Sequence, residues 1–219
     1  MKNIILKSFS AVSCIHCISC IFNKGDRSNL IACILFQLYF IYNSYRNIKS
    51  DERDDILYKK TLNNLYSLYG YFLYDMGYLI TVKPISYLFL FHHMIGIFMI
   101  HMINKIHTKM PSIYTLKLYN LFCFIAEVTN PLLNLRHFTK GTVAYRLNMN
   151  LVKATYVIFR MFLFPLVSEE IIEDMYKKED KERESIDNDR REYIIKGLKY
   201  CMYTVYIMSV LWFIKIIYK

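Results

Sequence analysis

The chain lacks the patterns that would tie it together through sulfur or metal. Its six cysteines lie within or beside apolar runs, with no paired spacing in any candidate lumenal loop, which excludes a disulfide framework. Cys14, Cys17 and Cys20 form the densest group. A zinc site needs about four ligands, however, and beyond this series neither a further CxxC nor an HxxxH occurs, so these three are expected as core cysteines on a helix. Repeated HxxxH or HxxHH clusters, the requirement of a membrane di-iron centre, are absent too. His92 and His93 are adjacent and on a helix point ~100° apart, which does not suit two ligands to one ion. No metal site is expected. Nucleic acid is excluded as a partner despite a formal charge of +10, because the lysines and arginines flank apolar runs, as anchoring and the positive-inside bias place them.

What is present is apolar and segmented. Hydrophobic residues make up 55% of the 219 residues, yet the mean hydropathy is only +0.20. Charge is therefore concentrated outside the apolar runs, and most of the 18 acids gather between Glu169 and Glu192. This predicts a single all-α domain over residues 1–219. The expected architecture is a polytopic membrane helix bundle around a polar lumen, with 169–197 as a charged, solvent-exposed loop. Six spans are expected: Asn3–Phe22, Thr61–Val82, Ser86–Asn104, Ile113–Leu135, Asn150–Val167 and Leu198–Tyr218. The first is read as a retained helix, since no small-residue cleavage pattern follows it. Leu30–Tyr45, about 16 residues long, is a candidate seventh span or an interfacial segment. Asn47–Lys60 is expected as a charged loop, and Lys83 and Pro84 mark a turn. With Leu30–Tyr45 spanning, loop charge favours a cytosolic N-terminus.

The ionisable residues inside the spans are the candidate site. Asp75 lies about nine residues before the Lys83–Pro84 turn and His92 about eight after it, so at ~1.5 Å per residue both are ~12–14 Å deep from one face. Ionisable groups at that depth face a bundle interior and have a partner or a task. His101, eight residues after His93, falls on the same face as His93. Glu127 reaches a similar depth on a helix whose polar face includes Asn120, Cys123, Asn130 and Asn134, and Pro131 is expected to kink that helix. Arg160 lies within the next span, where its guanidinium can snorkel or reach an acid. Ser13, His16 and Cys20 share a face, which puts His16 inside, and Tyr71 lies on the polar stripe of Asp75. Imidazole beside carboxylate is what a general base near neutral pH needs: His92, His93 and Asp75 are the candidate catalytic residues. His16, Tyr71, Glu127, Asn130, Asn134 and Arg160 are candidate substrate-binding residues. The alternative is a buried polar cluster that fixes helix register.

Ser13-Cys14-Ile15-His16, Gly70-Tyr71-Phe72-Leu73-Tyr74-Asp75, Phe91-His92-His93 and Ala126-Glu127-Val128-Thr129-Asn130-Pro131-Leu132-Leu133-Asn134-Leu135-Arg136, followed by Phe159-Arg160 and Pro165, resemble the TLC-domain membrane proteins in order and context. The resemblance covers about residues 10 to 218. It is closer to the small TLC-domain proteins of lipid homeostasis than to ceramide synthases. Those synthases carry an HDxxD pattern on the helix after the double histidine, where this chain has Glu127 and Asn130. The resemblance implies membrane lipids as partners, residence in the endoplasmic reticulum or a related endomembrane, and no cofactor. It implies acyl-CoA as a candidate co-substrate, should the chain be an acyltransferase of sphingolipid metabolism. It leaves oligomeric assembly open.

Overall fold

The computed structural model of the chain describes residues 2–22, 26–81, 87–106, 111–181 and 188–218. The described residues form helices without any strand. They are α1 (Lys2–Phe22), α2 (Asp26–Ile48), α3 (Asp54–Thr81), α4 (Tyr87–Ile106), α5 (Ile113–Glu127), α6 (Asn130–Thr139), α7 (Val143–Thr155), a π-helix (Tyr156–Leu163), α8 (Phe164–Lys181) and α9 (Asn188–Ile217). The expected Lys83–Pro84 turn lies outside the described residues.

Among the described residues, four stretches are long and apolar enough to cross a membrane: Lys2–Cys20, Tyr87–Ile106, Val143–Lys177 and Arg191–Ile217. The remaining helices are diluted by polar side chains that they turn toward one another. Asn47 of α2 donates to the Asn120 carbonyl oxygen on α5 at 2.9 Å, and the Asn120 amide donates to Thr61 Oγ1 on α3 at 2.7 Å. Asn64 donates to Ser44 Oγ at 2.8 Å, and the Tyr74 hydroxyl to Asn29 at 2.6 Å. Such bonds between helices hold register where apolar burial alone gives little direction, because lipid tails are as apolar as leucine.

Helix α2 packs against α1, α3, α5 and α6, while α4 lies between α3 and α9. Helix α1 approaches α3 closely, and Gly70 permits it. A Cβ there would lie 2.5 Å from the Ile5 carbonyl oxygen and 2.9 Å from Ser8 Cβ. The space beside Gly96 on α4 is similarly filled, by the Phe72 ring.

Several boundaries differ from expectation for local reasons. Helix α3 begins at Asp54, within the expected Asn47–Lys60 loop. Asp54 and Asp55 occupy its positive end, and Leu57 is buried. The expected Ile113–Leu135 helix is two helices meeting at 128–129, since Pro131 has no amide hydrogen for the Glu127 carbonyl. Helix α6 then stops before Gly141, which takes φ 85°. The charged stretch from 169, expected as solvated helix or loop, is helical to Lys181 and again from Asn188, with Ile171, Ile172, Met175 and Ile195 buried. Its acids meet neighbouring helix ends: the Tyr114 hydroxyl donates to Glu170 at 2.5 Å and Thr115 Oγ1 to Asp174 at 2.7 Å. Cys14, Cys17 and Cys20, expected in the core, are exposed. They lie on the outer face of a helix that buries Val12 and Ser19 against its neighbours.

Candidate functional site

Two helices that cross near their apolar ends bring an acid and an imidazole together. His93 Nε2 on α4 lies 2.7 Å from Asp75 Oδ2 on α3, and both side chains are largely buried, at 8% and 14% exposure. The other carboxylate oxygen of Asp75 accepts a weak bond from the Cys33 thiol of α2 at 3.8 Å. Phe72 and Tyr71 wall the imidazole, at ring-centre distances of 4.8 and 6.3 Å. His93 Nδ1 has no hydrogen-bond partner among the described residues. With Nε2–H donated to Asp75, Nδ1 carries the lone pair, and it is the atom at which this oriented ring can take a proton.

His92 points elsewhere, as the ~100° step between helix neighbours requires. Its ring lies 5.1 Å from the Trp212 ring of α9, edge to face, and 5.5 Å from the His93 ring. It lines a cavity of about 60 Å³ inside the bundle, together with Glu127, Arg160, Cys123 and a wall of apolar side chains that includes Leu68, Phe72, Met99 and Met202. The expected polar lumen is thus an apolar cavity with a few polar groups. The two histidines divide between two environments: His93 belongs to the acid pair, and His92 to the cavity wall.

Arg160 was expected to snorkel or to reach an acid, and it does not meet Glu127 directly. Asn130 stands between them instead, its amide donating to Glu127 Oε2 at 2.7 Å while its carbonyl oxygen accepts from Arg160 Nη2 at 3.2 Å. The break between α5 and α6 turns Asn130 toward the acid three residues before it. The π-helix brings Arg160 into the bundle, where it is 3% exposed. A π segment adds a residue to the turn and commonly marks a functional position. Arg160 Nε has no partner among the described residues.

The remaining candidates fall around this centre. Tyr71 is buried and stacks on Phe36 at 4.5 Å. Its hydroxyl accepts from Gln37 Nε2 at 3.3 Å, and the Gln37 carbonyl oxygen accepts from Asn134 at 3.1 Å, so α3, α2 and α6 are joined in one chain. His16 is half-buried and meets Tyr74 and Tyr78 edge to face, with ring centres at 5.9 and 5.5 Å. His101 is exposed rather than on the buried face of His93.

The family model of the TLC domain matches residues 10–218. The chain belongs to the TLC-domain family. Comparison with curated proteins and with solved structures yields no match. Membership, with its apolar helices, makes this TLC-domain protein an integral membrane protein of lipid metabolism or homeostasis. Among the described residues of this TLC-domain protein, no group of three or more His, Cys, Asp or Glu side chains is arranged to hold a metal ion. Sequence reasoning missed Cys33, Gln37 and Trp212. Gln37 was the most accessible of the three, as the one amide inside the apolar Leu30–Phe40 stretch, where an unpaired polar group in lipid would be costly.

Proposed function

We propose that this TLC-domain protein binds or modifies a membrane lipid in the cavity between its helices. The observation that carries this reading is the cavity itself, an apolar space inside the bundle with His92, Glu127 and Arg160 on its wall. Ligand sites have this composition: hydrophobic surround and a few placed polar groups. His93, held by Asp75 next to His92, adds an oriented base.

A second reading, an acyl-CoA-dependent acyltransferase of the ceramide-synthase type, is favoured by the 2.7 Å His93–Asp75 contact. In it, His93 Nδ1 takes the proton of an amine or hydroxyl as that atom bonds the acyl carbon. The carbon–sulfur bond breaks, and the thiolate leaves with a proton. Asp75 holds the ring and stabilises its cation. The Glu127/Asn130 pair in place of HDxxD sets this chain apart from the synthases, so the lipid-homeostasis reading leads.

We further propose seven spans, with α2 crossing. At 23 residues it is ~34 Å long, and it packs alongside α1, α3, α5 and α6. The protein is assigned to the endoplasmic reticulum or a related endomembrane, with a cytosolic N-terminus. The test is mass spectrometry of lipids that co-purify with the wild type and with Ala126→Phe, a variant that fills the cavity. A lipid enriched over the bulk extract and lost from the variant supports the reading. Equal lipid profiles would contradict it.

A further inference from the structure

Between Glu127 and Glu169 the chain has no acid, while Arg136, Lys140 and Arg146 gather around the turn that joins α6 to α7. Lys140 and Arg146 are exposed, and Arg136 is half-buried, its Nε donating to His137 Nε2 at 3.4 Å. Among the described residues none of these three bases meets an acid in an ion pair. The opposite end of the bundle is balanced: Lys60 meets Glu52 at 2.5 Å, Lys199 meets Glu169 at 3.5 Å and Lys117 meets Asp51 at 3.9 Å. The first turn of α7 adds to the positive charge. Thr142, at its N-cap, donates its hydroxyl to the Thr139 carbonyl oxygen at 2.7 Å and caps no helix amide, which leaves the positive helix end uncompensated. Length decides what meets this hairpin. Val143–Lys177 is 35 residues, or ~52 Å as a helix, against ~30 Å of hydrocarbon. About 20 residues counted back from Glu169 fill that hydrocarbon and end near Asn150. Residues 143–149 therefore reach into the headgroup layer. There Val143 is 96% and Leu147 65% exposed, and Arg146, three residues after Val143, stands on the same side of the helix. Apolar and cationic side chains side by side at headgroup depth are what an anionic lipid surface attracts.

We propose that the α6–α7 hairpin docks on the headgroups of anionic phospholipids, with Lys140 and Arg146 meeting phosphate while Val143 and Leu147 seat below it. The occupant is a net-negative headgroup, because a zwitterionic one carries its own cation toward the bases and the helix end. This surface lies outside the cavity and is independent of what the cavity holds. It gives the bundle a preference for bilayers rich in anionic lipid and fixes the depth at which this end sits.

The full chain is reconstituted in nanodiscs of phosphatidylcholine with a minor fraction of phosphatidylglycerol and extracted in mild detergent, and the lipids that stay bound are counted by mass spectrometry. Each base at an anionic surface is worth about fivefold. The wild type is therefore expected to retain phosphatidylglycerol at roughly tenfold or more over its bulk fraction, less so as salt is raised. Lys140→Gln/Arg146→Gln is expected to lose most of that enrichment. Lys60→Gln, at the balanced end, is expected to keep it. No enrichment in the wild type, enrichment retained in Lys140→Gln/Arg146→Gln, or an equal loss in Lys60→Gln would each overturn the proposal. Displacement by inorganic phosphate, beyond that by chloride at matched ionic strength, would mark a site for the free ion and overturn the lipid assignment. Should the double variant fail to fold, Lys140→Gln alone decides, with about a fivefold loss expected and no loss contradicting the proposal. The readout is a ratio of headgroups, so Ala126→Phe is expected to leave it unchanged. The proposed function and this inference therefore stand or fall separately.

Discussion

The imidazole of His93 and the carboxylate of Asp75 meet at 2.7 Å across 18 residues of chain, a polar contact that couples α4 to α3. Removing the acid strands a buried ring nitrogen. Asp75→Ala is therefore expected to destabilise the folded protein by about 1–3 kcal/mol, the cost of an unsatisfied buried group. Asp75→Asn keeps an acceptor oxygen and should cost less. Thermal unfolding in detergent orders the two, and an alanine variant as stable as the asparagine one would mean that the contact contributes nothing.

Gly70 and Gly77 lie two turns apart on α3 and should respond in opposite directions. A methyl at Gly70 collides with the backbone of α1, so Gly70→Ala is expected to loosen that helix at a cost of about 1–3 kcal/mol. Gly77 has no atom within 4 Å of an added Cβ. Gly77→Ala should be neutral or stabilise by about 0.5–1 kcal/mol through chain entropy. Proteolysis of α1 in the two variants measures the difference.

Glu127, Asn130 and Arg160 form one relay, so their losses should not add. In a double-mutant cycle with Glu127→Gln and Arg160→Gln the coupling is expected within about 0.5–3 kcal/mol. The same cycle on an Asn130→Ala background should lose most of that coupling, because Asn130 carries the contact. Coupling that survives without Asn130 would show a direct path between acid and guanidinium.

If α2 crosses, the N-terminus and Ser50 are on the same side of the membrane. An impermeant thiol reagent, applied to a cysteine-free background with single cysteines at Asn3 and Ser50, should label both from one side. Labelling from opposite sides would make α2 interfacial and the bundle six-spanning.

The helices and their approximate limits were legible because membrane length and apolarity constrain each run independently of the others. Depth counting likewise put Asp75 and the histidines at one level, and Pro131 announced the break after α5 in its missing amide. What stayed hidden depends on contacts between runs. Whether Cys14, Cys17 and Cys20 face inward depends on which side of α1 meets α3, and that is decided at Gly70. That Asn130 would stand between Glu127 and Arg160 depends on a π segment around Arg160, and nothing in Tyr156–Leu163 signals an extra residue in the turn. The division of labour between His92 and His93 was implied by their 100° separation, but which one meets the acid required the position of α3.

If the bundle binds or modifies a membrane lipid beside His92 and His93, that lipid should depend on the two imidazoles. Lipidomics of cells expressing the wild type and a His92→Ala/His93→Ala variant at matched abundance tests it most directly. The account predicts at least one lipid species whose level, or whose co-purification with the protein, depends on the two imidazoles. An unchanged lipidome together with unchanged lipid binding would contradict it, and would reduce Asp75, His92 and His93 to a structural cluster that fixes helix register.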